Sequence, residues 1–448
     1  MKRITIISIV ILLTITAYSQ NITGLWHAQA NVKTAHLRLI LDIESSDNED
    51  NYRIKLQSPD QSKEWFAVDS YQLDNKQLTF SVDRLDLSAR CTFQSDTILE
   101  GTLRQHGASF PLTFTRTPIV HNRPQTPKAP FPYISNDVTF LNTEDQITLA
   151  GTLTLPNSKT PSKAVVLISG SGPQNRDSEI FEHKTFTIIA DYLARNGIAA
   201  LRFDERGVGE SEGDFSTASI PEFASDAEAA VEYLKSRPEI NSNQIGVIGH
   251  SEGGAVAFTI AAQDIVNFVI TLAGGGINGQ ELLLMQRAAL LKASGADSAF
   301  IENYNHYMRE AQQIALQTRN KETCQIKLAE LFQGSELAGS EKAIATQLHT
   351  TTMLGMLRYD PEWDYPDITV PVLALNGEKD RQVPVENLKY IQEGLLKNGN
   401  EHITIKAFPN LNHMFQTAQT GLPNEYAIIE ESFNEEVLKV IAEWIEKL

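Results

Sequence analysis

The 448-residue chain is poor in the features that staple or anchor a protein. It has two cysteines, Cys91 and Cys324, in regions of different character. A disulfide framework is therefore excluded, and both read as buried, unpaired thiols. There is no H-E-x-x-H run, no paired cysteines and no histidine cluster. Neither a metal nor another cofactor is expected on that basis. Basic residues are outnumbered, 38 Lys and Arg against 56 Asp and Glu, for a formal net charge of −18. With no Lys/Arg-rich run either, the surface should repel nucleic acid and anionic membranes. A bilayer-spanning run of about 20 apolar residues is also missing. The longest one, Ile4 to about Ala17, follows Met1-Lys2-Arg3 and ends at Tyr18-Ser19-Gln20. A basic start, a short apolar stretch and a small-residue end predict a signal peptide over residues 1–19. The alternative, a membrane anchor, fits the short run less well, and no cysteine stands at its end to carry lipid. The expectation is an exported protein, periplasmic or secreted, with no stable membrane insertion after cleavage.

What is present is an ordinary globular balance, 42% apolar and 21% charged, in a chain long enough for two or three domains. Residues 20–117 read as an all-β accessory domain. Short alternating runs (His36–Leu41, Tyr52–Leu56, Leu78–Val82, Ala89–Phe93) are separated by polar turns such as Ser45-Ser46-Asp47-Asn48. That spacing suggests a small barrel or sandwich. Residues 118–133 carry Pro118, Pro124, Pro127, Pro130 and Pro132, which predicts an extended, semi-rigid linker.

From 134 to 448 strands alternate with helices, the pattern of a mostly parallel sheet flanked by helices. An opening hairpin (Val138–Phe140 with Ile147–Leu153) leads to the apolar strands Ala164–Ser169, Ile198–Phe203, Ile245–Ile248, Phe268–Leu272, Val370–Leu375 and Ile403–Ala407. Helices are expected over His183–Asn196, from Pro221 to about Ser236, and at the C-terminus. Between about 277 and 364 no strand-like run occurs, so this insertion reads as a helical cap over the strand ends.

Gly249-His250-Ser251-Glu252-Gly253 is a G-x-S-x-G motif between an apolar strand and a small-residue helix. Strand, sharp turn and helix are what a nucleophile elbow requires, so Ser251 is the candidate nucleophile. The bland alternative is a glycine-rich turn with an incidental serine. A serine hydroxyl needs a base. Only His402 and His413 lie beyond the strand Val370–Leu375. His402 opens the next strand, whereas His413 follows it in a loop, which makes His413 the candidate base. The orienting acid should follow Val370–Leu375, where Glu378 and Asp380 stand. Asp380 is preferred, because the Val383-Pro384 that follows returns the chain to the sheet. The oxyanion should meet the backbone N–H of Glu252 and one from the loop Ser169-Gly170-Ser171-Gly172-Pro173-Gln174, Ser171 being preferred over Gly172. Gly207-x-Gly209 lacks the spacing of a dinucleotide loop and reads as a turn.

The loop Ser169–Pro173, the stretch Asp204-Glu205-Arg206-Gly207-Val208-Gly209-Glu210-Ser211, the elbow and the Gly377–Asp380 segment together resemble the α/β-hydrolase superfamily. They are most similar to bacterial carboxylesterases related to the serine aminopeptidase and lysophospholipase group. The resemblance covers about residues 134–448 and departs at Ser169, where many relatives carry His. The N-terminal region, with Gly24-x-Trp26 and Gly101-x-Leu103, is similar to modules that precede such hydrolases, and implies no chemistry. The resulting expectation is a serine hydrolase acting on small or medium carboxylic esters through an acyl-enzyme. An aminopeptidase-like amidase shares the triad, with Glu252, Glu205 or Glu302 available to hold an ammonium. A silent binding protein on the same scaffold is the third reading. Within the cap, Met285, Met308, Met353 and Met356 sit among many leucines. Met353 and Met356 are expected to line an acyl pocket.

Overall fold

The computed structural model describes residues 22–32, 35–46, 51–60, 64–74, 76–105 and 108–448. The signal-peptide reading of residues 1–19 lies outside them. The chain divides between Val120 and His121 into two compact units.

The first unit holds β1 (Gly24–Val32), β2 (Ala35–Ser45), β3 (Tyr52–Gln57), β4 (Phe66–Ala67), β5 (Ser70–Asp74), β6 (Gln77–Val82), β7 (Leu87–Ser95), β8 (Ile98–Gln105) and β9 (Ala108–Thr115). They form one antiparallel sheet in the order β4-β3-β2-β1-β9-β8-β7-β6-β5. Between β4 and β5, Val68 N donates to Ile54 O and Asp69 N to Ser81 O, so the chain there bonds to strands near both ends of the sheet. The period of two sends Leu39, Leu41 and Ile43 inward with Leu78, Phe80 and Val82, around the fully buried Trp26. Cys91 belongs to this core and Cys324 to the cap, and both are free.

The proline-rich stretch differs from a free spacer. Its backbone has no helix or strand, as the prolines dictate, but from His121 it belongs to the second unit. The Arg123 guanidinium donates to Phe181 O, Ala427 O and Ile429 O at 2.8–3.1 Å. The Gln125 side chain accepts from Ser432 N and donates to Phe433 O, both at 2.6 Å. Within the stretch Thr126 N donates to Arg123 O at 3.2 Å, and its side chains satisfy carbonyls of the neighbouring loops.

The second unit runs β10 (Ile134–Asn142), β11 (Ile147–Leu155), β12 (Ser162–Ile168), the two-residue strands β13 (Glu179–Ile180) and β14 (His183–Lys184), α1 (Thr185–Arg195), β15 (Ala199–Phe203), α2 (Ile220–Lys235), β16 (Ile240–His250), α3 (Glu252–Ala262) and β17 (Phe268–Leu272). Five cap helices follow: α4 (Gly279–Ala293), α5 (Ser298–Gln317), α6 (Lys321–Phe332), α7 (Glu341–Leu348) and α8 (Thr351–Arg358). Then come β18 (Val372–Gly377), α9 (Asn387–Lys397), β19 (Ile403–Phe408) and α10 (Glu435–Lys447). The sheet order is β10-β11-β15-β12-β16-β17-β18-β19, antiparallel at the β10–β11–β15 edge and parallel from β15 to β19. This is the α/β-hydrolase fold.

The apolar run of β12 is explained by two cores. Ala164, Val166 and Ile168 face one, which α2, α3 and α9 cover. Val165 and Leu167 face the other, under α1 and α10. A strand buried on both faces has no polar alternation to show. Helix α2 starts at a capping box, Ser219 with Glu222, followed by Pro221 in the first turn. The cap has its own core, with Met308, Cys324, Leu328 and Phe332 inside it.

Candidate active site

Strand β16 ends at His250 and helix α3 begins at Glu252, so Ser251 makes the whole turn between them. Its backbone has φ 56° and ψ −118°, a strained conformation for a residue with a Cβ. Two glycines permit the turn by close approach. A Cβ at Gly249 would run into the carbonyl of Gly253, and one at Gly253 into the carbonyls of Ile168 and Ser169. Ser251 N donates to Leu272 O at 2.8 Å, which ties the elbow to the next strand.

Asp380 and His413 come from loops after β18 and β19, far apart in sequence. The structure brings them together: His413 Nδ1 donates to Asp380 Oδ2 at 2.7 Å, with both residues at most 4% exposed. The other Asp380 oxygen accepts from Gln382 N and Val383 N at 2.7 and 2.8 Å. Three donors around one carboxylate fix its plane. The His413 loop is shaped by Asn412, whose Oδ1 accepts from Met414 N and Gln416 N. Glu378, the alternative acid, is exposed, and so is His402, the alternative base.

The link between the elbow and the His413 loop is a residue that the sequence reading passed over. His250 Nε2 donates to His413 O at 2.9 Å, and the two imidazole rings lie 4.8 Å apart. Complete burial, with the His413 ring beside it, pushes the His250 pKa down to about 3. It is neutral, as a donor to a carbonyl can be, and adds no competing charge. Its only sequence signal was a place inside the G-x-S-x-G motif.

The loop after β12 closes over the elbow. A Cβ at Gly170 would stand 3.1 Å from Ser251 Cβ, so the two backbones nearly touch. Gly172 has φ +91°, which side chains rarely adopt. The loop is fastened from the 204–211 stretch: Gln174 N donates to Glu205 Oε2 at 2.7 Å, and Arg176 N to Asp204 Oδ1 at 2.7 Å. Gly207 and Gly209 both have positive φ. The stretch is a tight turn that holds the loop.

A cavity of about 710 Å³ opens above the elbow. Ser171, Gly172, Ser251 and Glu252 all line it. From the cap come Leu282, Leu283, Met353 and Met356. Met308 is buried in the cap's own core instead. Burial pushes the Glu252 carboxyl up to about 7. Among the described residues no group of three His, Cys, Asp or Glu is arranged to hold a metal ion.

Residues 161–418 match the family described as serine aminopeptidase S33. The chain belongs to this family. It is 26% identical over 302 residues to esterase EstD of Thermotoga maritima, covering 67% of this chain and 66% of EstD. It is 33% identical over 128 residues to the uncharacterized protein PA2218 of Pseudomonas aeruginosa, covering 28% of this chain and 33% of that one. The chain thus spans less than two thirds of these curated relatives. Among solved structures, the esterase Pf2001 of Pyrococcus furiosus is 17% identical with a TM-score of 0.45, over 74% of this chain and 99% of that one.

Proposed function

We propose that the protein is a serine hydrolase that cleaves small or medium carboxylic esters. The observation that carries the reading is the buried 2.7 Å bond between His413 Nδ1 and Asp380 Oδ2, set beside a strained elbow whose serine lines a cavity. With Nδ1 committed as donor, His413 Nε2 carries the lone pair of the neutral imidazole and takes the Ser251 proton as Oγ attacks the ester carbonyl. Asp380 stabilises the imidazolium that forms. The tetrahedral oxyanion is met by the backbone N–H groups of Glu252 and Ser171, helped by the N-terminus of α3. His413 then protonates the leaving alcohol, an acyl-Ser251 remains, and water activated by the same base releases the acid.

Leu282, Leu283, Met353 and Met356 in the cap wall offer an acyl chain apolar contacts, and EstD is named an esterase, which favours an ester over an amide. The basic start and apolar run before residue 20 support an exported enzyme. A fluorophosphonate probe should label the wild type at Ser251 and leave Ser251→Ala unlabelled. Nitrophenyl acyl esters tested beside aminoacyl anilides should show turnover on the esters alone. Faster anilide cleavage would transfer the reading to an amidase, and no labelling would leave a binding protein.

A further inference from the structure

Beside the elbow lies a second, small void of about 10 Å³, lined by Glu205, Glu252, Asp226, Ser169 and Gly170 with apolar side chains around them. It has room for about one water molecule. Three carboxyl groups meet there, and they are not equivalent. Asp226 is paired: both its oxygens receive the Arg206 guanidinium at 2.7 and 2.8 Å, and Asn142 adds a third donor. Arg206 is in turn shared with Asp145. Glu205 accepts one bond, from Gln174 N. Glu252 is 6% exposed and also borders the larger cavity, and among the described residues its side chain makes no hydrogen bond or ion pair. A buried carboxylate without a partner is costly, and here it sits on the residue that follows the nucleophile.

We infer that Glu252 and Glu205 are a positioning pair for the proposed hydrolysis that holds the loop Ser169–Gln174 against the elbow so that the N–H groups of Ser171 and Glu252 converge on one oxyanion. The pair spans the two elements that must stay in register. Glu252 belongs to the elbow. Glu205 grips the loop twice, through Gln174 N to its carboxyl and through its own N–H to Gln174 O at 3.2 Å. Both carboxyls border the same void as Ser169 and Gly170, where one water can bridge them.

Charge decides when the arrangement works. The titratable or charged groups facing Glu252 are Glu205 from the turn after β15, Asp226 from α2 with its Arg206, and His349 across the larger cavity. His250 precedes the elbow and is held neutral. Burial, with Glu252 and Asp226 beside it, keeps the Glu205 carboxyl well above the usual carboxylate range. Glu252, at about 7, loses its proton to solvent as the pH rises past neutrality. The new negative charge borders the same void as Asp226 and sits on the residue that follows the nucleophile, near the oxyanion that the reaction must stabilise. Like charge at that range opposes the transition state and loosens the pair.

The inference rests on the hydrolase reading, and the same experiment separates the two. Ester turnover and fluorophosphonate labelling are measured from about pH 6.5 to 8.5 on the wild type, Glu252→Gln, Glu205→Ala and Glu205→Gln. The wild type should lose about tenfold in kcat across this range. In Glu252→Gln the ratio of kcat at the two ends should return to near one, whatever its absolute level. A merely structural Glu252 would lower the whole profile and leave its shape unchanged. Glu205→Ala should lower kcat by about tenfold at every pH with little change in KM, and Glu205→Gln, whose amide oxygen still accepts from Gln174 N, should restore it. A wild-type profile with no alkaline fall, or one whose fall survives in Glu252→Gln, overturns the inference while the hydrolase reading stands. A wild type that is never labelled at Ser251 overturns both.

Discussion

At the residue scale, Asp380 is the clearest case of a side chain whose role follows from its partners. It orients His413 through one oxygen and its own loop through the other. Asp380→Asn keeps the shape and removes the charge, and its amide can present a donor to Nδ1, which turns the imidazole to the wrong tautomer. We expect kcat to fall by about 10³–10⁴ with the fold intact. Glu378→Gln, an exposed change, should stay near wild type. Esterase assays on both, with circular dichroism as the folding control, check this, and the reverse ranking would dethrone Asp380.

Glu252 makes a second prediction, on stability. Its carboxyl is held at about 7 in the folded chain against 4.5 without burial. The folded state therefore keeps a proton that the unfolded state releases. Stability from this group is fully present below about pH 4.5, falls as pH rises, and is lost above about pH 7. The difference is worth about 3 kcal/mol at most. Glu205 pulls in the same direction. Urea unfolding of Glu252→Gln should show a shallower loss of stability between those pH values than the wild type. Parallel curves would show that the carboxyl is not charged by folding-linked titration.

At the scale of elements, the sequence was legible where structure depends on local pattern. The strand Ala164–Ser169 was visible as an apolar run because both faces are covered, and the cap was visible as a stretch without strands. The elbow was visible because its glycines are adjacent in sequence to its serine. The pairing of Glu205 with Gln174, the facing of Glu205 and Glu252, and the bond from His250 to the His413 carbonyl have no local signature. They arise only when β12, β15 and β16 lie side by side. The same limit applies to residues 121–133. Their prolines announce an extended backbone, but nothing in composition says that Arg123 and Gln125 bind loops some 300 residues later.

The cap yields a prediction of its own. Met353 and Met356 line the cavity with Leu282 and Leu283, whereas Met308 packs inside the cap. Met353→Ala and Met356→Ala should shift the preferred nitrophenyl ester toward longer acyl chains, with a stability loss below the 2–5 kcal/mol typical of a core methionine. Met308→Ala should do the opposite, costing stability and leaving the chain-length profile alone. Identical profiles for all three would exclude the two methionines from the acyl pocket.

At the scale of the whole molecule, the boundary at Val120 and His121 fixes where a shortened chain should start. A protein of residues 121–448 keeps the Arg123 and Gln125 bonds and should fold and react with fluorophosphonate. One of residues 134–448 loses them, leaving the carbonyls of Phe181, Ala427 and Ile429 without that guanidinium. Each bond to a charged donor is worth about 1.5–3 kcal/mol, so its Tm should be several degrees lower. Thermal melts of the two chains compare them directly. Equal melting temperatures would show that the stretch is dispensable, and a folded 121–448 that cannot be labelled would show that the first unit is needed for reactivity.

The path of the chain through the cap has one more consequence. The cap helices begin at Gly279 and end at Arg358, and the chain meets itself there: Gly279 N donates to Tyr359 O at 2.9 Å. Departure and return points a few ångströms apart make the cap a side branch, with a hydrophobic core of its own. None of Ser251, Asp380 or His413 lies on that branch. Insertions, deletions or wholesale exchange between those points can therefore accumulate, in a lineage or at the bench, without moving the three side chains of the proposed triad. What changes is which molecules are admitted to them.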